Sequence, residues 1–138
     1  MKKYTLLAAL SISLHLFSFS QVKIKNDTVR LDGEIFMTLK SDLIGTTFTD
    51  LKGNDLIFLS VNPETEWHPA YTKIIFLKEK IMLTNQSLFI SRKSILNMLI
   101  RDKVLVDTII QKDALDIFIL KFNEVIPIYT KIVVDSEN

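Results

Sequence analysis

The chain has 138 residues, 48% of them hydrophobic, and a formal charge of +1 at pH 7. It contains no cysteine, which excludes disulfides, cysteine-ligated zinc sites and lipid attachment to an N-terminal cysteine. The charges are nearly balanced and interspersed, which argues against nucleic acid as a partner, because phosphate neutralisation needs a basic stripe.

In chain order, Lys2 and Lys3 precede an apolar run from Leu6 to Phe17, diluted by Ser11, Ser13 and His15. Ser18-Phe19-Ser20 then offers small residues at the two positions a signal peptidase reads. This is the layout of a secretory signal peptide. The expectation is a signal peptide over 1–20, cleavage near Ser20-Gln21, and one exported domain over 21–138, periplasmic or secreted. The apolar run is shorter than the ~20 residues a spanning helix needs. No membrane span is therefore expected after cleavage, and an uncleaved N-terminal anchor is the alternative. Lys2 and Lys3 are two of the 17 basic residues, so the domain keeps 15 against 16 acidic ones, a formal charge of −1. The short basic groups (Lys23, Lys25 and Arg30; Arg92 and Lys93) read as solvated strand and helix faces.

From Val22 to about residue 84 the pattern has period two. Val22–Lys25 alternates, Asn26-Asp27 is a turn, and Thr28–Leu31 alternates again. Asp32-Gly33 is a strong hairpin signal, returned by Ile35–Leu39. Thr46–Leu51 and Asp55–Val61 flank Lys52-Gly53-Asn54, a further hairpin. Tyr71–Leu77 is β-branched and aromatic enough for a central strand, with Ile81–Leu83 pairing back on it. Pro63 and Pro69 fall between strands, where a missing N–H costs no ladder bond.

The period changes after Asn85. Ile95, Leu96, Leu99 and Ile100 recur at helical spacing, with Ser91 as N-cap. A second helix places Leu115, Phe118, Ile119, Phe122 and Val125 on one stripe, with Asp113 in its first turn and Pro127 marking its end. Ile128–Val134 reads as a short final strand or an apolar tail. Each helix has one apolar face that needs a surface to cover, and the strands supply one. The fold class is therefore α+β: an antiparallel β-meander over about residues 22–84, followed by two C-terminal helices packed on one face.

With Val29-Arg30-Leu31-Asp32-Gly33 as its first strong hairpin, a meander, and a closing helix from Asp113 to Asn123 that holds Phe118 and Phe122, the chain resembles small uncharacterised exported proteins of Gram-negative envelopes. The resemblance implies the same order of elements and brings no established activity. It also implies Asp-Gly between the helices, where this chain has Asp107-Thr108.

The side chains of common catalysis are sparse. His68 is the only histidine after the expected cleavage site, and there is neither a phosphate-cradling glycine loop nor a Gly-x-Ser-x-Gly elbow. Asp113 and Asp116, one turn apart, suit the N-terminal end of a helix without any catalytic role. The segment Asn62–Ala70 is the candidate site. It holds the chain's only tryptophan, Trp67, with Glu64, Glu66 and His68. If the segment is extended, Glu64, Glu66 and His68 project to one side and Trp67 to the other. A carboxylate–imidazole set of this kind suits a divalent metal, whereas tryptophan is the residue type that most often anchors an interface. Contact led by Trp67 is expected over catalysis led by His68. The alternative reading of the same loop is simply a proline-bounded connection with Trp67 folded on the sheet edge.

No catalytic residue, metal or cofactor is assigned. Asp27-Thr28 and Asp107-Thr108, each followed by an aliphatic residue, resemble the acceptor of a bacterial periplasmic O-glycosylation system, at Thr28 and Thr108. Asn26-Asp27-Thr28 and Asn85-Gln86-Ser87 fit the N-glycosylation sequon, which in a bacterial protein reads as chance. The leading functional expectation is an exported, non-enzymatic domain that binds a protein or envelope component. The alternatives are a small hydrolase or metal-dependent enzyme built on the 62–70 loop, and a structural envelope protein held by an uncleaved N-terminus.

Overall fold

Alternation of apolar and polar residues becomes seven antiparallel strands: β1 (Val22–Lys25), β2 (Thr28–Leu31), β3 (Glu34–Ser41), β4 (Thr46–Thr49), β5 (Asp55–Asn62), β6 (Tyr71–Phe76) and β7 (Ile81–Asn85). They lie side by side in chain order, each paired with its sequence neighbour. The structure, a computed structural model, describes residues 21–87 and 91–129. The expected signal peptide and residues 130–134 of the expected final segment lie outside them; Ile128 and Tyr129 belong to no strand.

Turn chemistry sets the register. Asn26 and Asp27 have φ of 48° and 59°, and Asp32 and Gly33 have φ of 52° and 90°. Positive φ at both central residues of a two-residue hairpin matches the strand twist, and Asn, Asp and Gly accept it at least cost. With the register set, one face collects the apolar side chains. Leu39, Phe48, Ile57 and Phe76 form one transverse row across β3–β6, and Thr46, Leu59, Ile74 and Leu83 another across β4–β7. All eight are buried. Bulges in the β2–β3 and β4–β5 pairings add local twist to the sheet.

Two helices cover the apolar face: α1 (Arg92–Arg101) and α2 (Lys112–Phe122). α1 packs on β1 and α2 on β7, so the pair lies between the two sheet edges. Ile95, Leu96, Leu99, Leu115 and Phe118 join the strand residues in one core. The Oγ of Ser91 caps α1 by accepting from the Ser94 N–H at 3.2 Å, as the sequence predicts. No helix among the described residues is long and apolar enough to cross a membrane.

Two local expectations need correction. The α2 stripe does not reach Val125, and Pro127 does not end the helix. α2 stops at Phe122, Asn123 is extended, and Val125 is 89% exposed. The cause is the unpaired edge of β7. The Glu124 N–H donates to the Thr84 carbonyl (2.7 Å), Thr84 N–H donates to Asn123 Oδ1 (3.0 Å), and Asn85 Nδ2 donates to the Phe122 carbonyl (2.6 Å). The chain leaves the helix to satisfy these edge groups and thereby blunts an edge that would otherwise template pairing.

Between the helices lies a small hairpin that the sequence reading lacks: β8 (Leu105–Val106) and β9 (Ile109–Ile110). Its turn is Asp107-Thr108, with φ of 48° and 62°. The conformation is the one Asp-Gly adopts freely, held here by a β-branched residue. A left-handed conformation costs an L-residue about 1–2 kcal/mol, and branching at Cβ makes it rarer still.

Candidate functional site

Because β3, β5 and β7 run one way and β4 and β6 the other, the sheet has two ends with separate sets of connections. The 62–70 loop joins β5 to β6 at the end where β3 and β7 also finish. It is not extended. The Thr65 N–H donates to the His68 carbonyl (3.0 Å) and the Trp67 N–H to Thr65 Oγ1 (3.2 Å), which folds the middle of the loop into a turn. Glu64, Glu66 and His68 therefore do not form the single-sided set that an extended loop would give.

His68 turns back onto the sheet. Its ring meets Tyr71 edge-on at 5.2 Å and 76°. Its Nδ1 lies 2.9 Å from the Pro69 carbonyl, which can only accept, so this nitrogen carries a proton. Glu64 and Glu66 are exposed. Among the described residues no three His, Asp or Glu side chains converge to hold a metal ion.

Trp67 is half exposed, at 52%. Its backbone is tied at a second point, since its carbonyl accepts the Tyr129 N–H at 2.7 Å. The segment that leaves α2 therefore runs from the β7 edge to this loop and brings the exposed Val125, Ile128 and Tyr129 to the same end. The loop is thus a braced platform carrying a half-exposed aromatic side chain.

The same end carries a feature missed from sequence. The β3–β4 connection, Asp42–Gly45, leaves Leu43 and Ile44 fully or largely exposed. Asp42 Oδ1 accepts the N–H groups of Ile44 (2.8 Å) and Gly45 (2.9 Å), and the Asp42 N–H donates to the Gly45 carbonyl (2.9 Å). The Gly45 and then the Ile44 N–H hold the Asp42 carboxyl below the usual carboxylate range. The carboxylate that closes this turn thus persists on acidification to below its ordinary titration range and is lost only as pH falls through the lowered value. Gly45 packs so closely that a Cβ there would collide with the Leu59 carbonyl and lie 2.7 Å from Phe58 Cζ.

At the opposite end of the sheet an open groove of about 840 Å³ lies among the β4–β5, β6–β7 and β8–β9 turns. Asp50, Glu79 and the strained Thr108 line it. Glu79 Oε2 is shielded from solvent without a hydrogen-bond partner among the described residues. Hydrogen bonds from the Asn54 side chain and then its N–H lower the Asp50 carboxyl and fix the β4–β5 turn. Of the two Asp-Thr acceptor candidates, Thr28 opens β2, half-buried, and Thr108 sits in the β8–β9 turn, also half-buried.

Comparison with family models, curated proteins and solved structures gave no match to this chain. The reading of the site therefore rests on its geometry.

Proposed function

We propose that the chain is an exported, non-enzymatic domain that binds a protein or envelope component through the sheet end carrying the 62–70 loop, with Trp67 as principal contact and Glu64, Glu66 and His68 around it. The observation that carries this reading is Trp67 itself, half in solvent on a loop braced by its own turn and by Tyr129. A large, rigid aromatic presented on a preorganised backbone loses little entropy on binding, which is how tryptophan comes to dominate interface energetics. No three His, Asp or Glu side chains among the described residues converge as a metal site, which weighs against the metal-enzyme reading.

Trp67→Ala is expected to weaken capture of a partner from envelope extract by about 2 kcal/mol, roughly 30-fold, with the melting temperature unchanged. His68→Ala should do much less. A lowered melting temperature in Trp67→Ala with unchanged capture would return Trp67 to a packing role and overturn the proposal. The export half of the proposal rests on the layout of residues 1–20. N-terminal sequencing of the protein from its native host is expected to begin at Gln21, and a start at Met1 would reject cleavage.

A further inference from the structure

We infer that the β3–β4 turn is an insertion finger for an anionic lipid surface, with Leu43 and Ile44 as its apolar tip and Lys40, Arg92 and Lys93 as its basic collar. This goes beyond the Trp67 contact proposed above and uses none of its residues.

The tip is extreme in its exposure. Leu43 is 106% and Ile44 76% exposed, side by side, in the turn between β3 and β4. A partner protein that engaged such a tip would have to provide a pocket shaped to receive it. A bilayer receives projecting aliphatic side chains without one. The turn also closes on itself. Two of its N–H groups close onto Asp42 Oδ1, and the Asp42 N–H closes onto the Gly45 carbonyl. Backbone groups left unpaired would oppose entry into lipid.

The collar supplies the charge complementarity. Arg92 Nη1 donates to Ser41 Oγ at 2.9 Å, which fixes the guanidinium at the base of the finger. Lys93 follows it in the first turn of α1, and Lys40 precedes Ser41 on β3; all three cations are exposed. Cations in a first helical turn oppose the helix dipole, and α1 has no acid there to offset them. Their placement is unhelpful to the helix and suits an external anion. Asp42, the acid of the finger, is committed to the turn; the other acids at this end are Asp27 of the β1–β2 turn, whose carbonyl accepts the Leu39 N–H, and Glu64 and Glu66 of the β5–β6 connection. An apolar tip with basic residues at its base is the pattern by which peripheral proteins combine shallow insertion with attraction to acidic headgroups.

The test is co-sedimentation of the domain with vesicles of phosphatidylcholine containing about a third phosphatidylglycerol, and with phosphatidylcholine alone. Binding is expected to the mixed vesicles, at least tenfold weaker to the neutral ones. Leu43→Ser with Ile44→Ser should reduce it at least tenfold, as should Arg92→Gln with Lys93→Gln, and Lys52→Gln, an exposed cation at the opposite end of the sheet, should leave it unchanged. Circular dichroism and melting temperature check that each variant is folded; if the Arg92/Lys93 pair disturbs α1, Lys40→Gln with added salt reads the same electrostatic arm. Absence of binding by the parent domain overturns the inference. So does binding that survives loss of the apolar tip, which would make the contact purely electrostatic. Partner-protein capture lost in the tip variant, with no vesicle binding by the parent, would assign the finger to a protein instead.

Discussion

Phe118→Ala is expected to destabilise the domain by about 3–5 kcal/mol, the cost of removing a large aromatic from a closed core. Phe118 is 1% exposed, and its ring lies 4.7 Å from that of Phe122. It sits on the helix that packs against β7, so its loss opens a cavity where α2 meets the core. Leu120, 86% exposed on the same helix, is the control, and its replacement by alanine should cost little. Urea denaturation measures both. A change under about 1 kcal/mol for Phe118→Ala would mean that α2 does not seat on the sheet in solution.

Asn85→Ala is expected to cost about 2–3 kcal/mol although it removes only a small side chain. Asn85 is 4% exposed and serves two masters: its Nδ2 donates to the Phe122 carbonyl at 2.6 Å, and its Oδ1 accepts the Ser87 N–H at 2.7 Å. Deletion leaves both partners without their bond in a part-buried site, and each such group costs about 1–3 kcal/mol. Asn85→Asp keeps an acceptor for Ser87 and loses the donor to Phe122, so it isolates the C-terminal anchor of α2. Denaturation midpoints for the two variants, with amide exchange at Thr84 and Glu124, read the effect. Unchanged midpoints would show that the β7 edge holds without Asn85.

The strands were legible because their determinants are local. Alternation defines the buried face, and Asn26-Asp27 and Asp32-Gly33 carry the positive φ their turns require. The end of α2 was not legible from its own sequence. The groups that draw Asn123 and Glu124 out of the helix are on Thr84, about forty positions earlier in the chain. The β8–β9 hairpin was hidden for two reasons. Its strands are two residues each, too short for a period, and Thr108 is the wrong residue for its turn. In the candidate site, Trp67 stood out as a lone tryptophan in a proline-bounded loop. The sidedness of Glu64, Glu66 and His68 failed because a Thr65–His68 bond folds the segment. Leu43-Ile44 does not stand out in sequence, because it falls between two strands and carries no period of its own; the Asp42 turn, which closes on Gly45, leaves the pair exposed.

The order of strands in the sheet also bears on how the domain reaches its native state. Every pairing joins neighbours in the chain, so each hairpin closes a short loop and the contact order of the sheet itself is low. Such a sheet zips progressively as the chain emerges. Its cover does not: α1 must return to β1, laid down some seventy positions earlier. Until both helices arrive, the rows through Phe48 and Ile74 face water. A chain interrupted before Ser91 would lack both helices, and the apolar residues of these rows would have no cover, an exposed patch of the kind that promotes self-association.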